Sequence, residues 1–285
     1  MFDGMRIRIS SIVLVCGSLL LGVCVAPGMG LRAEEKKEAR LSFVFPDSLV
    51  LRYHASSQMD QNYGGMDVRM NQSWDVEMSL MKRTEAGSKV SLKFGKTTSS
   101  VTQGTQLIDW QPPIKLQGAS IDPTVTPKGE IVEVEPGGSI AGMHKADQLK
   151  EIIEPWFIAL PDTTVTVGGT WKKEIIQGKR EGAEPEVKGT VVFTLKKLEK
   201  RGDLEVAVIE GKAKFKFNRE TPAGMLVADG DESVKATLAV AGGYIVEFKE
   251  TLDIRGNTIA KDPLTDKEKK SETAVTNYWE CKLLQ

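Results

Sequence analysis

The chain has 285 residues, 38 basic and 39 acidic side chains, and a formal net charge of −1. That length makes one large domain or two modest ones, with a core that needs no cross-links. The balanced charge excludes the basic face on which nucleic-acid binding depends. Only two histidines and no Cys-x-x-Cys exclude a histidine-rich or paired-cysteine metal site.

Residues 1–33 read as a secretory signal peptide. Arg6 and Arg8 give the positive start, Ile12 to Val25 is an uncharged apolar run, and Ala33 precedes the charged stretch Glu34-Glu35-Lys36-Lys37-Glu38. Cleavage after Ala33 removes Arg6, Arg8, Arg32 and Asp3, leaving 35 basic and 38 acidic side chains. The alternative, an uncleaved anchor, meets the objection that the apolar run is short for a full span. Cys24 as a lipidated cysteine meets another, because Val23 is bulky where a lipoprotein signal wants Gly, Ala or Ser. The expectation is therefore an exported protein, periplasmic or extracellular, with no spanning segment after cleavage. Cys16 and Cys24 leave with the leader, so the single remaining Cys281 forms no internal disulfide.

The mature chain alternates with period two. A strand starts near Leu49, with Leu49, Leu51, Tyr53 and Ala55 on one face. From Val68 to Leu80, Val68, Met70, Trp74, Val76, Met78 and Leu80 share a face on which Gln72 is the only polar interruption. Thirteen residues at strand rise make about 43 Å, long for a globular protein. Trp74 is expected to be buried there, with a loss of about 3–5 kcal/mol on Trp74→Ala. The turn at Glu85-Ala86-Gly87-Ser88 leads into Val90, Leu92 and Phe94, a hairpin. Residues 103–118, rich in Gln, Gly and Pro, read as a loop, and Pro127-Lys128-Gly129 as a turn before a short strand.

One region, 139–160, carries helical spacing, in Ile140, Met143, Leu149, Ile152, Ile153, Trp156 and Phe157. Pro155 breaks or restarts it. Strands then resume: Val187 to Leu195, a turn at Lys200-Arg201-Gly202-Asp203, Leu204 to Ile209, and Ala213, Phe215 and Phe217 interleaved with Lys212, Lys214 and Lys216. Val234 to Val240 follows, with a turn at Ala241-Gly242-Gly243 into Tyr244 to Ile254. Residues 261–272 read as a charged loop. Val275, Trp279, Cys281 and Leu283 line a last strand.

The halves resemble each other. Ser79 to Arg83 matches Thr194 to Leu198 at an offset of 115; Val90, Leu92, Gly95 and Lys96 match Val206, Val208, Gly211 and Lys212 at 116; Gly129 to Val134 matches Gly243 to Phe248 at 114. The fold expected is all-β and mainly antiparallel, a long-stranded β-sandwich or open half-barrel. It divides into a first β-meander repeat at 34–138, a helical linker at 139–166 and a second repeat at 167–285, the two packed as one unit.

The stretch from Leu160-Pro161-Asp162 through Val165-Thr166-Val167-Gly168 to Trp171, with Pro127-Lys128-Gly129-Glu130-Ile131 before it, resembles a group of exported bacterial proteins of unknown function. The likeness covers most of residues 48–284. It implies an antiparallel β architecture outside the cytoplasm and supplies no catalytic residues.

No constellation carries chemistry. A Ser-His-Asp or Cys-His hydrolase would need His54 or His144 as base; His54 falls on a wet strand face and His144 in the helical region. There is no Gly-x-Ser-x-Gly elbow. Val167-Gly168-Gly169 and Ala241-Gly242-Gly243 lack the following Lys-Ser/Thr of a phosphate loop and suit turns. The Lys212, Lys214, Lys216 row suits a wet strand face or the guard of an edge strand. Met66, Met70, Met78 and Met81 near Trp74 suit either a core or an adaptable apolar surface. No catalytic, cofactor-binding or metal-ligating residue is assigned, no cofactor is implied, and ligand-binding residues stay open. The reading is a non-catalytic binding or carrier module for an apolar ligand. The alternative is a structural or interaction protein of the cell envelope. An enzyme on envelope glycans comes third, and carboxylates clustered in a cleft would favour it.

Overall fold

The structure is a computed structural model that describes residues 37–109, 115–141, 146–178, 185–221, 224–261 and 267–284. The expected signal segment with Cys16 and Cys24, and also Met143 and His144, lie outside the described residues.

The first half contributes β1 (Glu38–Ala39), β2 (Val50–Tyr63), β3 (Met66–Thr84), β4 (Gly87–Gln103), β5 (Gln106–Ile108), β6 (Ala119–Val125) and β7 (Ile131–Gly138). A helix, α1 (Ala146–Ile153), runs into a 3-10 turn at Glu154–Trp156. The second half adds β8 (Val165–Thr166), β9 (Thr170–Gln177), β10 (Val187–Arg201), β11 (Leu204–Thr221), β12 (Gly224–Ala239), β13 (Tyr244–Lys261) and β14 (Glu268–Leu283). The strands are antiparallel. Twelve form one sheet in the order β7-β6-β4-β3-β2-β14-β13-β12-β11-β10-β9, with β5 on β4, and β1 pairs with β8 separately. The sheet does not close, since β7 and β9 do not pair with each other. The all-β expectation therefore takes its open form, one curled sheet rather than two stacked ones.

Period two holds along these strands. In β11, Ala213, Phe215 and Phe217 are buried while Lys212, Lys214 and Lys216 are exposed. That lysine row guards no edge, because β11 lies between β10 and β12. The strands run longer than the alternation marks: β13 reaches Lys261 and β14 starts at Glu268, leaving little of the expected charged loop, and residues 103–118 include β5. Gly189 stands opposite Phe215 in the β10–β11 register, where a Cβ would fall 1.9 Å from the ring, so glycine there makes room for the aromatic.

Both halves cross the sheet in the same direction as up-and-down meanders, β2-β3-β4-β6-β7 and β9-β10-β11-β12-β13. The β3–β4 register shifts between Leu80 and Lys82, and the β10–β11 register between Leu195 and Lys197. The two bulges stand at the 115-residue offset of the sequence match. The β3 bulge turns Met81 outward, where it is exposed along with Met66, while Met78 stays in the core.

The helical part is shorter than 139–166. It covers Ala146–Trp156 and restarts at Pro155, within the first turn of the 3-10 segment. It plugs the inner face of the sheet with Leu149, Ile153 and Trp156, all buried. The Trp156 ring meets Tyr53 edge-on at 5.3 Å and Trp279 at 5.5 Å. An extended segment ahead of β2, not recognised in the sequence, buries Ala39, Leu41, Phe43 and Phe45 in strict alternation. Phe43 and Phe45 stack at 5.8 Å, and Phe157 packs edge-on against both. The Phe43 N–H donates to the Pro127 carbonyl at 2.8 Å, fixing this segment under the β6–β7 turn.

Candidate functional site

A sheet that pairs every central strand buries backbone polarity and leaves its inner face to side chains. Here that face curls round a cavity of about 160 Å³. Phe94 on β4 and Phe193 on β10 both line it although seven steps separate these strands in the sheet. Its walls are apolar: Met59 and Met70 from β2 and β3, Trp74, Val191, Val234, Leu252, Ile254 and Trp279. The 3-10 turn and Phe157 to Ala159 form one side. Trp74, expected in the core, is half-buried and forms part of the cavity wall.

A polar group set lies among these walls. Gln72, Lys173, Glu232, Glu250 and Asn277 point inward from five strands, and Glu154 joins them from the 3-10 turn. Each of the five strand residues sits at a position where period two demands an inward side chain, so the sheet compels its burial. Glu232 pairs across the sheet with Leu252, and Leu252 pairs with Asn277 on the other side. Two atoms of this set are buried without a hydrogen-bond partner, Oε2 of Glu232 and Oδ1 of Asn277. Burial holds the Glu232 carboxyl well above the usual carboxylate range; the nearby charges of Glu250 and Glu154 push the same way, and Lys173 opposes them. Leaving an acceptor buried and unpaired costs about 1–3 kcal/mol, and native structures keep few such atoms.

Other titratable groups are accounted for by local structure. His54 is exposed and shares a 2.9 Å hydrogen bond between its Nδ1 and Asp75 Oδ1 on the neighbouring strand. The Tyr53 hydroxyl donates to the Ile245 carbonyl at 2.8 Å, and burial pushes its acidity down. Burial also pushes the Cys281 thiol up, away from reactivity. No group of three or more metal-ligating side chains occurs among the described residues, and no helix among them is long and apolar enough to cross a membrane.

The two motif elements meet beside the cavity. Leu160 is buried and its N–H donates to the Lys128 carbonyl at 3.0 Å, while Lys128 Nζ pairs with Asp162. Trp171 donates its indole N–H to the Ala159 carbonyl at 2.8 Å and stacks on Phe193. These residues clamp the cavity's helical side and do not enter it as reactive groups.

No family model matches the chain, and no curated protein matches it. Among solved structures it is similar to lipovitellin, in a structure devoted to lipid–protein interactions in that protein. The match has 10% identity and a TM-score of 0.48, and covers 85% of this chain and 25% of that one. The chain thus spans about a quarter of that protein's length, and a likeness of this depth carries no functional argument.

Proposed function

We propose that this chain is an exported, non-catalytic binding or carrier module that holds an apolar ligand against the inner face of its sheet. The observation that carries this reading is the cavity itself. Its lining of Met59, Met70, Trp74, Phe193, Leu252 and Trp279 encloses about 160 Å³ beside the helical plug. Concave, mostly apolar sites with a few convergent polar groups are where proteins take small molecules. The experiment is mass spectrometry of natively purified protein, paired with titration of a fluorescent apolar probe. A co-purifying apolar molecule, or saturable probe binding displaced by fatty alcohols, is the expected result. A ligand-free mass and no probe binding would leave the envelope structural protein as the better reading. The same spectrum reads the start of the mature chain, expected near Glu34 and without a lipid.

A second reading has one observation in its favour. Glu154, Glu232 and Glu250 converge in the cavity, and a glycoside hydrolase uses two carboxylates, one of raised pKa. The apolar walls count against it, because sugar hydroxyls buried there would lack partners. Release of reducing ends from envelope glycans, lost in Glu232→Gln, would favour the enzyme instead.

A further inference from the structure

We propose that Glu232 and Asn277 form the headgroup site for a cationic amphipath, an aliphatic ammonium whose chain lies along the apolar wall. The inference rests on the binding-module reading and names its ligand class. Both orphaned atoms, Glu232 Oε2 and Asn277 Oδ1, are acceptors once the Glu232 carboxyl is ionised, the state that an incoming cation favours. A headgroup that satisfies them must bring N–H or O–H donors; a carboxylate or phosphate brings only further acceptors.

The charges facing the site choose between an ammonium and a neutral hydroxyl. Glu250 projects from β13, Glu154 from the 3-10 turn and Lys173 from β9, so even without Glu232 two carboxylates stand against one ammonium. A cation entering this cluster meets a favourable field inside a poorly hydrated cavity, where such attraction is stronger than in water. It also offsets the burial, and the lesser repulsion from Glu250 and Glu154, that raise the Glu232 pKa, since an opposite charge nearby favours the ionised carboxylate. The alkyl chain then has Val191, Val234, Leu252 and Ile254 to lie against.

The test uses the intact mature protein and three probes of equal chain length, decylamine, decanol and decanoate, each below its micelle concentration. Binding is followed by the fluorescence of Trp74, Trp156 and Trp279, which line the cavity. Decylamine is expected to bind at least tenfold more tightly than either other probe. Glu232→Gln, which keeps the side-chain shape, is expected to lose at least tenfold more for decylamine than for decanol. Asn277→Leu provides a second variant with the same expected direction. Circular dichroism checks that both fold. Equal affinity for all three probes, or decylamine binding indifferent to both variants, overturns the headgroup site while leaving an apolar carrier standing. No binding of any probe overturns the carrier reading and this one together.

Discussion

Glu232 on β12 and Asn277 on β14 pair with the same residue, Leu252 on β13. Two acceptors therefore face inward at one height of the sheet, their backbones about 10 Å apart, two strand spacings. In a strand the partner of an inward residue is also inward, so the pair cannot relax to solvent without a register slip. The five strand residues of the polar set are thus fixed by the sheet itself, and only Glu154 is placed by the 3-10 turn.

Glu232 should make stability depend on pH. Its folded pKa is raised above the ordinary value of 4.5 by burial and by Glu250 and Glu154. For a raised acid, the stabilising contribution is fully present below the unfolded pKa and is lost as pH rises through the folded one. The melting midpoint of the wild type should fall from pH 4.5 upward until the carboxyl is ionised. Glu232→Gln should flatten that decline and melt higher than wild type at the alkaline end. Parallel midpoint-against-pH curves for the two proteins would rule out this role.

Two tryptophans should behave differently. Trp156 is buried between Tyr53 and Trp279, so Trp156→Ala should cost about 3–5 kcal/mol, the range for truncating a buried aromatic. Trp74 is half-buried on the cavity wall. Its truncation should cost less and should weaken binding of an apolar probe. Chemical denaturation of both variants gives the comparison, and a larger loss for Trp74→Ala would contradict the placement of the plug.

The clamp between the motif elements separates backbone packing from surface charge. Lys128 and Asp162 are exposed, and such pairs contribute little because water and salt screen them. Asp162→Asn should leave the denaturation midpoint unchanged within error. Leu160 is buried, and Leu160→Ala should cost about 2–5 kcal/mol. A midpoint that tracks Asp162 and ignores Leu160 would invert this assignment.

Much of the sheet was legible because alternation survives wherever one face is apolar. The hairpins at Glu85-Ala86 and Gly202-Asp203 and the β12–β13 turn at Ala241 to Gly243 fall where the sequence marks them. The polar set was only partly legible. Gln72 interrupts an apolar row, and Asn277 between Val275 and Trp279 is the same kind of signal. Glu232 gives less warning, because its inward neighbours Ala228 and Gly230 are too small to mark a face. The segment Ala39 to Phe45 alternates plainly but adds no long strand, so its burial needed the tertiary fold to become visible. The match between the halves in sequence suggests a duplication as a proposal, with which the shared meander direction and the bulges at Met81 and Lys196 agree.

The matched turn glycines allow a final prediction. Gly129, between β6 and β7, and Gly243, between β12 and β13, both have positive φ, +85° and +59°. Both also touch the segment at Phe43. A Cβ on Gly129 would lie 2.1 Å from the Ile158 carbonyl oxygen and 2.8 Å from the Phe43 ring; one on Gly243 would lie 2.3 Å from the Ser42 carbonyl oxygen. Gly202 has a similar φ, +61°, but nothing within 4 Å. Alanine at Gly202 therefore pays only for the left-handed conformation, about 1–2 kcal/mol. Alanine at Gly129 or Gly243 must in addition displace backbone that holds the aromatic floor of the sheet. Both variants should be less stable than Gly202→Ala by more than about 1 kcal/mol, the smaller end of overpacking costs. Urea denaturation of the three single variants checks this. Equal losses at all three positions would mean that the close approach at Phe43 is absent in solution, and a loss at Gly129 without one at Gly243 would break the proposed equivalence of the two turns.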